Sequence, residues 1–86
     1  MTDFTALKRI TRAVNKECKG ESQAVKDYIV NLIYLTWQTL ELDTGAIDEN
    51  GRPYTSSKNL QFALEINLEY EYQNVIDEAR KEVGEQ

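Results

Sequence analysis

The chain has 86 residues, of which 41% are hydrophobic and 29% are charged, and its net charge is −5. It contains no histidine and one cysteine, which excludes His-dependent catalytic dyads, histidine-ligated metal sites and an internal disulfide framework. This length accommodates one domain with a small core, here residues 1–86. We therefore predict no catalytic residue, no cofactor and no metal site. The single thiol and the polar N-terminus favour a cytoplasmic location.

Charge is distributed unevenly along the chain. Residues 1–26 carry six basic and three acidic side chains, whereas residues 27–86 carry four basic and twelve acidic ones. The first part is therefore net positive and the rest is strongly negative. Such asymmetry is typical of a nucleic-acid-binding arm, of an acidic binding face, or of a fold whose two parts attract each other.

The first predicted helix covers about residues 3–19, with Thr2 or Asp3 as its N-cap and Gly20 at its C-terminal end. Its apolar residues fall on one arc, which consists of Phe4, Leu7, Ile10, Val14 and Cys18. Its basic residues fall on the opposite arc, which consists of Lys8, Arg9, Arg12, Lys16 and Lys19. The pattern predicts a basic amphipathic helix.

The second predicted helix covers about residues 22–42, with Ser22 as its N-cap. One narrow stripe of this segment is polar, and most of its remaining circumference is apolar. Such a helix must be covered on more than one side, so we expect it at the centre of the fold, in an antiparallel hairpin with the first helix. Its apolar run is too short to span a bilayer, and we expect no membrane association.

A turn-rich connector is predicted at residues 43–57. It holds the chain's only proline and the tight-turn signal Asn50-Gly51, which favour an irregular connector or a small β-hairpin. At its start, Asp43-Thr44-Gly45 resembles the active-site tripeptide of the retroviral-type aspartic proteases, where each subunit of a dimer supplies one carboxylate. That family is almost entirely β, whereas a long helical pattern leads into the motif here. We interpret the glycine as the end of a helix.

The third predicted helix covers about residues 58–83, and its pattern supports two interpretations. From Leu60 to Tyr72 large apolar residues alternate with polar ones, which is the period of a β-strand. A helical stripe is also present, and it consists of Leu60, Leu64, Leu68, Tyr72, Val75, Ile76, Ala79 and Val83. Because the composition favours helix, we predict a mainly α fold with a helical hairpin and a long third helix. The alternative is an α+β fold with residues 60–72 as a strand.

A second set of large side chains lies off that helical stripe, at Phe62, Ile66 and Tyr70. Their four-residue spacing places them along one side of a helix over about two turns. Exposed apolar patches are usually covered, so we predict that these residues mediate self-association or partner binding. The acidic residues beside them, Glu65 and Glu69, could meet a basic partner surface.

The basic arc of the first helix also has two interpretations. Lys8, Arg12 and Lys16 could contact nucleic-acid phosphates, although the chain as a whole is acidic. No aromatic residue lies among these basic residues in the sequence to stack on bases. The favoured interpretation is that they pair with acidic residues of the third helix.

We therefore predict a non-catalytic protein–protein interaction module that self-associates. Small acidic proteins of this kind resemble phage- or host-encoded inhibitors and adaptors, which act by surface binding. One alternative is a nucleic-acid-binding protein that uses the basic first helix. Another is a protein that sequesters a small ligand in a pocket between helices, lined by Tyr28, Tyr34 or Trp37.

Overall fold

A computed structural model describes residues 4–43 and 57–85 of the protein. The helices are α1 (Phe4–Glu17), α2 (Gln23–Asp43), α3 (Ser57–Glu65) and α4 (Tyr72–Glu82), with a π-helical turn, the π segment, at Ile66–Tyr70. The predicted mainly α fold is confirmed, and the strand alternative at residues 60–72 is wrong. Of the connector predicted at residues 43–57, the first residue, Asp43, ends α2 and the last, Ser57, begins α3, while residues 44–56, with the possible hairpin, lie outside the described residues.

The turn between α1 and α2 is short because Gly20 follows the end of α1 closely and Ser22 caps the start of α2. α1 ends at Glu17, slightly before the predicted end, and Gly20 adopts the left-handed conformation with φ of 91°. The Ser22 hydroxyl accepts a hydrogen bond from the Val25 amide at 3.2 Å, so Ser22 is the N-cap of α2 as predicted. The turn brings α1 back against α2.

The core is one cluster of buried residues to which all four helices contribute. α2 contacts α1, α3 and α4, which confirms its predicted central position. The side chains with almost no exposure are Ile10, Val14, Cys18, Val25, Ile29 and Ile33. Phe4 and Leu35 are large apolar residues of these helices that lie outside the core: Phe4, on the predicted apolar arc, is 74% exposed at the start of α1, and Leu35 is 59% exposed on α2.

The third helical stretch is not the single uninterrupted helix that the sequence predicts. In the π segment the Glu71 amide donates to the Ile66 carbonyl, five residues earlier, at 2.8 Å. Glu71 itself leaves the helical region, with φ of −110° and ψ of 19°, before α4 begins. A π turn accommodates one residue more than an α turn, so it changes the register between α3 and α4.

The spacing of the core residues explains this insertion. Steps of four residues drift by about 40° each around a regular α-helix, so a run of such steps leaves the core face. Leu60 and Ala79 are both buried. The separation between them in the sequence is one residue longer than about five turns of a regular α-helix. The wide turn absorbs that residue, and the apolar stripes of α3 and α4 face the same core.

Asn67 connects the π segment to α2. It is the one buried polar side chain among the described residues. Its amide nitrogen donates to the Ala63 carbonyl at 2.8 Å and lies 3.4 Å from the Thr36 hydroxyl on α2. The Thr36 hydroxyl in turn donates to the Leu32 carbonyl at 2.9 Å. Because buried polar groups are costly without partners, this network fixes how the π segment meets α2.

The end of α4 is held to the turn between α1 and α2 by polar side chains. Arg80 donates to both carboxylate oxygens of Glu21, with Nη2–Oε2 at 2.6 Å and Nε–Oε1 at 3.0 Å. The Ser22 hydroxyl donates to Glu85 Oε2 at 2.5 Å, beyond Gly84. These contacts bridge distant parts of the sequence at one end of the bundle.

We expect Asn67→Ala to lower the free energy of unfolding by about 1–3 kcal/mol, because it removes a buried hydrogen-bond donor. Asn74→Ala is the matched control, since Asn74 is exposed and donates to Glu71 of its own helical stretch. Denaturant unfolding of both variants measures the difference. Equal stability of the two variants would show that the Asn67 network does not stabilise the fold.

The pH dependence of stability tests the contact between Glu21 and Arg80. The hydrogen bond from Arg80 lowers the pKa of Glu21 below its ordinary value of 4.5. A carboxyl whose pKa is lower in the folded state stabilises the fold above about pH 4.5 and loses this effect as the pH falls. We therefore expect the difference in thermal midpoint between wild type and Arg80→Gln to shrink on acidification. Lys81→Gln, which changes the neighbouring exposed cation, is the control; a pH-independent Arg80→Gln difference contradicts the assignment.

Candidate interaction surfaces

The predicted apolar stripe, Phe62, Ile66 and Tyr70, lies largely outside the core. Phe62 is 48% exposed and Tyr70 is 74% exposed, whereas Ile66 is half-buried. The core side of the same stretch consists of Leu60, Ala63, Leu64 and Leu68, all of which are buried. The apolar stripe therefore adds hydrophobic surface that the fold does not need for its own core.

Leu35 of α2 is a further exposed large apolar residue. Tyr28, two turns before Leu35 on the same face of α2, lies close to α4: burial raises the pKa of Tyr28, and the charges of Glu78 and Glu82 raise it further. The same face of α2 is therefore directed towards α4, which packs against α2. A helical projection of the sequence places Leu35 one turn after Asn31, at the edge of the polar stripe of α2, which is a signal for its exposure.

The acidic residues predicted beside the stripe lie on another side of the helix. Glu65 and Glu69 line a hollow of about 210 Å³ between α1 and α3, together with Lys16. Gln61 marks this side, because it accepts a hydrogen bond from Arg9 of α1 at 2.8 Å and donates to Glu65 at 3.1 Å. The site residues predicted on the third helix therefore divide into two groups. The apolar stripe lies on one side, and Glu65 and Glu69 lie on the side that faces α1.

The basic face predicted for the first helix is exposed, and it consists of Lys8, Arg9, Arg12 and Lys16 of α1 with Lys19 just beyond its end. The expected pairing of these cations with the acids of the third helix is not seen: within residues 4–43 and 57–85 none of them forms an ion pair. The ion pair found in those ranges joins Arg80 to Glu21. The acidic side chains of α4, Asp77, Glu78 and Glu82, are also exposed.

An apolar groove runs beside the basic face. Its described lining consists of Phe4, Leu7, Lys8, Thr11, Arg12 and Asn15, all from α1, and its volume is about 460 Å³. The sequence places Phe4 on the buried arc, but the side chain is solvent-exposed at the first turn of the helix. An aromatic side chain therefore does lie next to Lys8 and Arg12, contrary to our expectation.

Cys18 is a buried thiol rather than a reactive one. Burial raises its pKa, while a hydrogen bond with Tyr72 acts in the opposite direction. The Tyr72 hydroxyl also donates to the Glu17 carbonyl at 3.2 Å, and burial raises the pKa of Tyr72 as well. A thiol with a raised pKa is a poor nucleophile. No cluster of three or more metal-ligating side chains occurs within the described ranges.

The residues predicted to line a ligand pocket between helices, Tyr28, Tyr34 and Trp37, pack against the core cluster. Tyr34 and Trp37 are half-buried and pack edge to face, with ring centroids 5.5 Å apart and an interplanar angle of 67°. Neither these two residues nor Tyr28 lines the hollows described above. Their rings fill space against the core instead.

Comparisons with protein-family models, curated proteins and solved structures find no match to this chain. Within residues 4–43 and 57–85, no helix combines the length and the apolar character needed to cross a bilayer. The apolar stripe and the basic face are therefore the features from which a function is proposed below.

We expect Cys18 in the folded protein to react with a thiol reagent about tenfold or more slowly than in the unfolded chain, because the thiol is buried and its pKa is raised. Absorbance of the released thiolate measures the rate, and the same protein in denaturant is the control. Equal rates in both states would show that Cys18 is accessible and would reopen a role for it in chemistry.

Proposed function

We propose that the protein is a non-catalytic interaction module that self-associates through the apolar stripe. The observation that supports this proposal is the exposure of Phe62 and Tyr70 on either side of Ile66. Large apolar side chains grouped on one face of a small protein are typical of binding surfaces. Aromatic residues also supply much of the binding energy at protein interfaces.

A second copy of the chain is the partner that fits the spacing best. Ile66 is the midpoint between Phe62 and Tyr70. In an antiparallel, two-fold arrangement centred on Ile66, each Phe62 meets Tyr70 of the other copy and the two Ile66 side chains meet at the axis. The apolar stripe is therefore complementary to itself, and the aromatic pairs can adopt the offset or edge-to-face geometries that aromatic rings prefer.

Leu35 supplies the width that such an interface needs. A stable interface buries about 800 Å² on each partner, which is more than three side chains over two helical turns provide. With Leu35 on the neighbouring helix α2, the contact becomes a two-helix face rather than a single ridge. The self-associated form would then expose both basic faces and both acidic α4 faces to other proteins.

The proposed role is that of an inhibitor or adaptor, which acts by surface binding. The apolar stripe and its surroundings offer contact area, and the buried Cys18 offers no accessible nucleophile. On α4 the exposed acidic residues are Asp77, Glu78 and Glu82. They favour a heterologous partner with a basic surface at that face, because complementary charge guides association.

We expect Phe62→Glu to convert the self-associated protein to monomers, because it places a charge opposite Tyr70 in the proposed interface. Light scattering coupled to size exclusion measures the mass, and circular dichroism checks that the helices are retained. Phe4→Glu is the matched control, since Phe4 is an exposed phenylalanine on α1 and should leave the mass unchanged.

Cross-linking tests the two-fold arrangement directly. Ile66→Cys should form an intermolecular disulfide under mild oxidation, because the two side chains meet at the axis, whereas Phe4→Cys should not. Cys18 does not compete, since it is buried. A wild-type protein that is monomeric at micromolar to millimolar concentration would refute the proposal. So would self-association that Phe62→Glu leaves intact.

A further inference from the structure

We infer that the outer face of α1 is a docking site for an acidic amphipathic helix of a partner protein. This surface is separate from the apolar stripe, and the inference does not depend on self-association. It combines an apolar groove, with Phe4 and Leu7 in its lining, and a border of cations at Lys8 and Arg12. The two features together specify both the shape and the charge of the partner.

The cations of the basic face are available to a partner. Lys8, Arg12 and Lys16 follow one another at intervals of one helical turn and are exposed. No acid within the described residues pairs with them. A row of unpaired cations at this spacing matches a row of carboxylates on a second helix, as at the flanking positions of a coiled coil. Complementary charge of this kind determines orientation and raises the association rate.

The apolar residues of the groove supply the contact area. Phe4 is 74% exposed although it lies on the apolar side of an amphipathic helix, and Leu7 is half-buried next to it. Phe4, Leu7 and Thr11 are spaced as the facing positions of two paired helices are spaced. A helix with leucine side chains on one face would cover them, which is the usual mode of helix-in-groove recognition.

α4 of a second copy of this chain does not fit this site. The acidic residues of α4 lie on its polar face, while its apolar residues Val75, Ile76 and Ala79 are buried in the core. α4 of another copy would therefore bring carboxylates but no apolar side chains to Phe4 and Leu7. A heterologous helix with both features is the better occupant.

Nucleic acid also fits this surface less well than an acidic helix. The chain carries a net charge of −5, so the field of the whole protein opposes a polyanion as large as DNA or RNA. Phosphate contacts alone would use the cations but leave Phe4 and Leu7 uncovered. Phe4 could stack on one unpaired base, which makes a single-stranded oligonucleotide the decisive competitor in an experiment.

The test uses a fluorescent synthetic peptide of about three heptads with Leu at positions a and d and Glu at positions e and g. Fluorescence anisotropy measures its binding to the full-length protein at physiological salt. We expect binding that Arg12→Glu weakens by about tenfold or more and that Phe4→Ala also weakens. Lys81→Glu, the same charge reversal on α4, is the matched control and should bind as the wild type does.

Competing probes decide between the partner classes. A peptide with Lys in place of Glu should not bind. The inference is overturned if the acidic peptide does not bind, or if it binds equally well to Arg12→Glu. It is also overturned, in favour of nucleic acid, if a thymidine oligonucleotide of about 16 nucleotides binds more tightly than the acidic peptide and Arg12→Glu abolishes that binding.

Discussion

The apolar circumference of α2 is the constraint on which the rest of the structure depends. A helix that is apolar around most of its circumference needs neighbours on several sides, and α1, α3 and α4 supply them. They cover the faces around Ile29 and Ile33 completely, but the face that carries Leu35 remains open. A chain of this size buries a smaller share of its surface than larger domains do. The exposed apolar surface beside α3 is thus a consequence of covering one central helix with few neighbours.

Electrostatics organise the surface rather than the core. Arg80 and Glu21 join the end of α4 to the turn between α1 and α2, and the basic face of α1 remains unpaired within the described ranges. Isolated surface ion pairs contribute little to stability, so the fold loses little by leaving these cations open. Unpaired cations on α1 and exposed carboxylates on α4 can each attract partners of opposite charge, whereas Lys16 also lies beside Glu65 and Glu69.

Much of the fold could be predicted from the sequence because its signals are local. The caps at Gly20 and Ser22 and the arc of cations on α1 follow from residue type and helical period. The alternation from Leu60 to Tyr72 misleads because two apolar stripes on one helix, each with a four-residue spacing, together imitate the period of a strand. Composition is the local signal that favours helix, and the burial of one stripe in the core agrees with it.

The candidate surfaces were less predictable because exposure depends on what the neighbours cover. Phe62 and Tyr70 could be identified, since they lie off the main stripe. Phe4 could not be identified, because the sequence places it on the apolar arc of the first helix. Its exposure results from its position at the start of α1. The sequence also favours pairing of the basic face with acidic residues of the third helix, and no such ion pair occurs within the described residues. Charge composition alone does not show how far apart two charged side chains lie in the folded protein.

The π segment determines how α4 is rotated about the helix axis relative to α3. One residue more or less in this stretch would turn α4 by about 100° relative to α3. Such a rotation would carry Val75 and Ile76 away from α2 and bring the carboxylates of α4 towards the core. Single-residue insertions and deletions should therefore be far less tolerated between Leu60 and Ala79 than substitutions are. The length of this stretch, and not only its composition, is under structural constraint.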